Sequence, residues 1–162
     1  MRRLYFLKNV AQFFILLAVV APLILASSLF FPFIYGKVIL FRISVELALI
    51  FYLIYLLLSG NYPSKRLLLN PIVISLTFFV TVFLLATFTS ISPLVSFWSN
   101  FERGEGAFQL LHYLAFFWLT TLLFRTKKEW QWLLAFTLII ASLVSLYGFG
   151  QWLGKYRIIE NI

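Results

Sequence analysis

The polar residues that could take part in chemistry are concentrated between residues 102 and 112. Glu105, Gln109 and His112 are spaced i, i+4 and i+7, so they would share one face of a helix. Glu102 extends this face if the helix begins early. His112, the only histidine of the chain, would lie about 10–12 Å inside an apolar segment. Because a polar face at that depth is costly against lipid, we expect it to face protein or a water-filled cavity.

This polar face has two interpretations. In the functional one, Glu102, Glu105, Gln109 and His112 line a polar vestibule that opens at one end of a helix bundle. In the structural one, the same side chains form hydrogen bonds between helices. We place the structural interpretation ahead.

Arg42 and Glu46 form a second polar group within an apolar segment. Their i, i+4 spacing is that of an ion pair on a helix, and Glu46 would lie about 12 Å deep, close to the depth of His112. A charge within such a segment is a functional hypothesis by default. Since an Arg–Glu pair neutralises itself, we favour a structural ion pair with both side chains turned toward protein.

Several kinds of site are poorly supported by the composition. The chain has no cysteine, one histidine and no aspartate, which excludes a thiol nucleophile and a Ser-His-Asp triad and argues against a conventional zinc site. Gly104 and Gly106 lack the strand and the lysine of a phosphate-binding loop. We expect no metal and no cofactor.

The composition is that of a membrane protein. Of the 162 residues, 63% are hydrophobic and 11% are charged, whereas soluble domains are nearer half apolar and a quarter charged. The formal charge is +8, but the basic residues lie in short clusters between apolar runs. That pattern is typical of membrane topology, so we expect a lipid bilayer as partner and no nucleic acid.

Five apolar runs must position these residues. They cover residues 10–33, 38–58, 71–90, 104–124 and 130–153, and each has about 20 residues, the length that crosses ~30 Å of hydrocarbon. Gly60 marks a turn, and Asn70 with Pro71 has the pattern of an N-cap followed by proline at the first helical position. We predict an all-α polytopic transmembrane bundle that forms a single domain over residues 1–162.

The basic residues also predict the orientation of the bundle. Eight lie before the first run or in the loops after the second and fourth runs, and four lie in the other loop regions or at the carboxyl-terminal end. The richer side is cytoplasmic by the positive-inside rule. We therefore expect the amino terminus inside and the carboxyl terminus outside.

Two stretches resemble bacterial O-antigen ligase-like membrane proteins (the O-antigen ligase and polymerase family). "FPFIYGKVILFRISVE" (31–46) is similar to the junction of the first two spans, and "FWSNFERGEGAFQLLHYLAFF" (97–117) is similar to an external loop and the span that follows. The resemblance is carried by Phe31, Pro32, Phe33, Gly36, Lys37, Phe41, Arg42, Glu46, Trp98, Glu102, Arg103, Glu105, Gly106 and His112.

The resemblance matches only the amino-terminal part of such proteins. Members have about ten or more spans and a large external loop in the carboxyl-terminal half, with the arginines and histidine tied to transfer. It implies that this chain is the amino-terminal part of a larger protein of the bacterial plasma (inner) membrane, inactive alone. No catalytic residue is carried over, and His112 is not the counterpart of the family's loop histidine.

The implied function is transfer of a glycan from a polyprenyl diphosphate carrier to an acceptor outside the plasma membrane, as in lipopolysaccharide biosynthesis. Arg103, and after it Arg42, would bind the diphosphate. Two alternatives stay open: a non-catalytic membrane scaffold or assembly subunit that binds partner transmembrane helices, and a transporter component that uses Glu46 and His112 as a polar pathway.

Overall fold

A computed structural model describes residues 2–24, 34–60, 62–99 and 105–154 of the chain, except for the side chain of Arg66. The described part is helical and contains no strand, so the predicted all-α fold class is confirmed there. The helices are α1 (Arg2–Val20), followed by a 3₁₀ turn (Ala21–Leu23), α2 (Tyr35–Ser59), α3 (Lys65–Leu68), α4 (Pro71–Phe88), α5 (Pro93–Trp98), α6 (Ala107–Leu123) and α7 (Lys127–Trp152).

Four of these helices are long and apolar enough to cross a membrane: α1 with its 3₁₀ turn, α2, α4 and α7. The described part of the chain is thus all-helical, and the length and composition of these four helices are those of membrane spans. The helix α6 is also apolar, but it has only 17 residues. The predicted fourth run, 104–124, is longer because it also counts Glu105, Gly106 and Phe124, which lie outside the helix, and Gly104, which lies outside the described residues.

The ends of the helices follow from local sequence. The side chain of Asn70 accepts a hydrogen bond of 2.9 Å from the amide of Ile72, and Pro71 begins α4, as predicted. Gly60 ends α2 in the left-handed conformation at φ 62°, which glycine adopts without strain. The α-helical part of α1 ends at Val20, just before Pro22, because proline has no amide hydrogen to continue it.

The core lies where α1, α2 and α6 meet. Small side chains such as Ala11, Ala18 and Ala48 are fully buried there, which allows the helix backbones to approach closely. The helix α6 contacts α1, α2, α4 and α5, and α7 packs against α1 and the 3₁₀ turn. The shortest of the long helices is therefore the central one, and it carries the predicted polar face into the bundle.

Candidate functional site

The contact between α2 and α6 brings together four polar side chains from the two groups noted in the sequence. Nε of Arg42 donates a hydrogen bond of 2.7 Å to Oε1 of Gln109. One helical turn further, Nε2 of His112 lies 3.0 Å from Oε1 of Glu46. Arg42, Glu46, Gln109 and His112 are referred to below as the Glu46 cluster.

The contact of His112 with a backbone carbonyl places a hydrogen on its Nδ1. Nδ1 lies 2.8 Å from the backbone oxygen of Phe108, and a carbonyl oxygen only accepts, so Nδ1 carries a hydrogen. The contact between Nε2 and Glu46 then needs one further proton, held either by an imidazolium or by a protonated carboxyl. In both states His112 and Glu46 together carry no net charge.

Phe108 supports the cluster from the side of α6. The guanidinium carbon of Arg42 lies 4.8 Å from the centre of the Phe108 ring, the geometry of a cation–π contact. The same ring meets the imidazole of His112 edge-on, at 4.6 Å between centroids. The Phe108 side chain and its backbone oxygen therefore orient both the cation and the imidazole.

The cluster has a buried side and an open side. Gln109 and His112 are buried, whereas the side chain of Glu46 is 56% exposed. Glu46 lies on the outer face of α2 in line with exposed Ile43 and Ile50. A carboxyl group thus interrupts an apolar surface that would otherwise suit lipid.

The predicted Arg42–Glu46 ion pair has a different arrangement in the structure. Among the described residues, the carboxylate of Glu46 contacts His112, and Arg42 donates a hydrogen bond to Gln109. Both contacts cross from α2 to α6, because Gln109 and His112 are within reach on the facing helix. Arg42 and Glu46 still lie one turn apart on α2, so each remains in the electrostatic field of the other.

The predicted vestibule is described only in part. Gln109 and His112 share one face of α6 and point into the bundle. Glu105 is exposed and precedes the helix, so it does not share their helical face as the spacing predicted. Glu102 and Arg103 lie outside the described residues.

Gly106 explains why α6 begins after Glu105. Its backbone packs against α5, and a Cβ added there would lie 2.7 Å from the carbonyl carbon of Phe97 and from the amide nitrogen of Ser99. A side chain would therefore separate α5 from α6. This close approach keeps the chain extended at Gly106, the N-cap of α6.

A second polar cluster was not singled out from the sequence. Oε1 of Glu129 accepts from Nζ of Lys8 at 2.9 Å and from Nε2 of Gln12 at 3.2 Å. Its Oε2 accepts from the amides of Arg125 and Thr126, both at 2.9 Å. Lys8, Gln12, Thr126 and Glu129, here named the Glu129 cluster, join α1 to the start of α7.

The signal for the Glu129 cluster was present in the sequence. Thr126-x-x-Glu129 is a capping box, and both of its reciprocal hydrogen bonds are formed. The pattern predicts the start of a helix, but it cannot predict that Lys8 and Gln12 reach the same carboxylate across the fold.

The described residues contain no group of three or more histidine, aspartate or glutamate side chains that could hold a metal ion. No protein-family model, no curated protein and no solved structure matches the chain. The described part of the chain is an all-helical bundle that has four helices long and apolar enough to span a membrane and a polar cluster between two of its apolar helices.

Proposed function

We propose that the chain is the amino-terminal membrane portion of an O-antigen ligase-like glycosyltransferase. The observation that carries the proposal is that the two stretches resembling this family meet in space. Arg42 and Glu46 come from the first stretch, Gln109 and His112 come from the second, and they form the Glu46 cluster. Contacts between the two stretches are expected if both contribute to one site.

The proposed protein has five spans, α1, α2, α4, α6 and α7, so α6 is the fourth in chain order, and its amino terminus lies in the cytoplasm of a bacterium. Reporter fusions test this topology in the plasma membrane. A fusion after Ser99 should be active only with a periplasmic reporter, and one after Lys127 only with a cytoplasmic reporter. The opposite activity at either position contradicts the orientation given by the basic residues.

In the proposed reaction an acceptor hydroxyl attacks the anomeric carbon of the sugar on the carrier. A new carbon–oxygen bond forms, the bond from the anomeric carbon to the diphosphate breaks, and the lipid diphosphate leaves with the electron pair. Cations near the leaving group stabilise its charge in the transition state. Arg103 is the proposed cation for the diphosphate, and Arg42, from the Glu46 cluster, is the second.

Binding of a polyprenyl diphosphate to the chain in nanodiscs tests this role. Arg103→Ala should weaken binding without lowering expression, and Arg103→Lys should restore it only in part, because an ammonium cannot grip phosphate bidentately. Lys155→Ala, which removes another cation on the predicted external side, serves as the control. If Arg103→Ala binds as the wild type does, Arg103 has no role in holding the carrier.

A membrane scaffold is the second candidate function, and the exposure of Glu46 favours it. A carboxyl group on an apolar helix face is costly against lipid, and a partner helix that donates a hydrogen bond would remove that cost. Glu46→Leu should then abolish cross-links from Ile43→Cys or Ile50→Cys to a partner protein. In the transferase model the carrier, rather than a protein, occupies this face, and those cross-links are absent in the wild type.

A further inference from the structure

A cavity of about 340 Å³ lies at the other end of the bundle from the Glu46 cluster. It is formed where α6 ends, α7 begins and α3 packs nearby. Its lining residues are Ser64, Leu67, Thr121, Phe124, Arg125 and Trp130. The lining therefore combines one cation and two hydroxyls with three large apolar or aromatic side chains.

Arg125 is held in position at this cavity. Its Nε donates to the backbone oxygen of Leu122 at 3.0 Å, which fixes the side chain against the end of α6. In the part of the chain that the structure describes, no carboxylate forms an ion pair with its guanidinium. The hydroxyl of Ser64 does not cap α3. A cation and a hydroxyl donor thus face the same space.

The electrostatic surroundings favour an anion. Three exposed lysines are close in sequence to residues that line the cavity: Lys65, Lys127 and Lys128. The carboxylate of Glu129 is paired with Lys8. The surplus of positive charge raises the local concentration of anionic groups.

The apolar part of the lining identifies the kind of anion. Phe124 is buried, Leu67 and Trp130 pack against the core, and Trp130 lies at a helix end, where tryptophan suits the membrane interface. A free phosphate would leave these side chains unused. A phospholipid would place its phosphate at Arg125 and the start of its acyl chains on Leu67 and Phe124.

We propose that this cavity binds the headgroup of an anionic phospholipid. The phosphodiester lies against the guanidinium of Arg125 and the hydroxyl of Ser64. Basic pockets between transmembrane helices are a known form of lipid headgroup recognition, and the cavity volume falls within the range of small-molecule sites. The lipid joins α3 to the α6–α7 turn and is independent of any glycan transfer.

Native mass spectrometry of the chain in detergent tests the proposal with phosphatidylglycerol and with phosphatidylcholine of the same acyl chains. The wild type should bind phosphatidylglycerol more tightly. Arg125→Gln should weaken that binding about tenfold, since charge-assisted hydrogen bonds are the strong ones. Arg125→Lys should weaken it about threefold, because the charge remains and the bidentate grip is lost.

Lys128→Gln is the matched control, because it removes the same charge from an exposed position that does not line the cavity. At physiological salt, which screens exposed charges, it should leave binding within about twofold. Equal losses in Arg125→Gln and Lys128→Gln, or equal binding of the two lipids, would overturn the proposal. Displacement of the lipid by inorganic phosphate would assign the cavity to free phosphate instead. If Arg125→Gln does not fold, Arg125→Lys against Lys128→Arg decides.

Discussion

The Glu46 cluster and the Glu129 cluster each hold a carboxylate between helices, but they differ in how fully that carboxylate is satisfied. Glu129 accepts five hydrogen bonds, from Lys8, Gln12, the Arg125 amide and both the amide and the hydroxyl of Thr126. Glu46 contacts His112 through Oε1, and its side chain is twice as exposed as that of Glu129, 56% against 28%.

This difference separates a structural role from a binding role. Because both carboxylate oxygens of Glu129 already accept hydrogen bonds, neither is left for a ligand. Its contacts instead hold the start of α7 against α1. A carboxylate with an open side can still accept a hydrogen bond from a donor that approaches from outside. We therefore expect changes in the Glu129 cluster to affect stability and changes in the Glu46 cluster to affect binding.

Glu129→Ala should give the largest loss of stability. It removes the ion pair with Lys8, the capping box and the bond to Gln12, and we expect a cost of about 2–3 kcal/mol in free energy of unfolding. Denaturation by sodium dodecyl sulfate in mixed micelles measures it. Lys128→Ala, one residue away and exposed, should cost less than about 0.5 kcal/mol. Similar losses in both variants would mean that the cluster does not hold α7 in place.

The Glu46 cluster should show a smaller and more specific coupling. In double-mutant cycles with alanine, the free energy of unfolding should show a coupling of about 1 kcal/mol between Glu46 and His112, because they are in direct contact. Glu46 and Arg42 should couple by less than about 0.5 kcal/mol, since their hydrogen bonds go to different residues of α6.

The i, i+4 spacing alone predicts the reverse order for these two cycles. If that ion pair exists, Glu46→Ala alone should destabilise the protein more than Glu46→Ala combined with Arg42→Ala, because the single change leaves a cation without its partner. A larger coupling with Arg42 than with His112 would support that direct ion pair and count against the contact between Glu46 and His112.

The smallest effect is expected at the attachment of α4. Trp118 of α6 donates from Nε1 to Oγ1 of Thr77 at 3.2 Å. Thr77→Val should cost about 0.6 kcal/mol, the average for polar contacts between helices in a membrane. Thr81 is the control, because among the described residues its hydroxyl bonds to the Thr77 carbonyl within its own helix. If Thr81→Val is as damaging as Thr77→Val, the bond to Trp118 adds nothing to the packing of α4.

The sequence predicted those features that depend on neighbouring residues. The apolar runs indicated helices, Asn70 and Pro71 marked the start of α4, and Gly60 marked the end of α2. The spacing of Gln109 and His112 predicted their shared face. The start of α6 was misjudged, because the extended backbone at Gly106 depends on its approach to Phe97 and Ser99 in space.

The partners of the polar residues could not be predicted in the same way. Local spacing favours Arg42 with Glu46, but the choice of Gln109 and His112 depends on how α2 and α6 are rotated toward each other. Small side chains such as Ala48 are buried in the core that α2 shares with α1 and α6, and this packing has no signal in the local spacing. The contact between Lys8 and Glu129 likewise joins opposite ends of the described chain and has no local signal.

The length of α6 has a consequence for how the protein is made. Its 17 residues extend about 25 Å, less than the ~30 Å of bilayer hydrocarbon, and they include Gln109 and His112. Such a segment is shorter than the hydrocarbon layer, and lipid cannot satisfy its two polar side chains. By the time the ribosome reaches it, α1 and α2 have already been synthesised, and Arg42 and Glu46 are available to receive its polar side chains. In chain order, α2, which carries the polar partners, thus precedes α6, which carries Gln109 and His112.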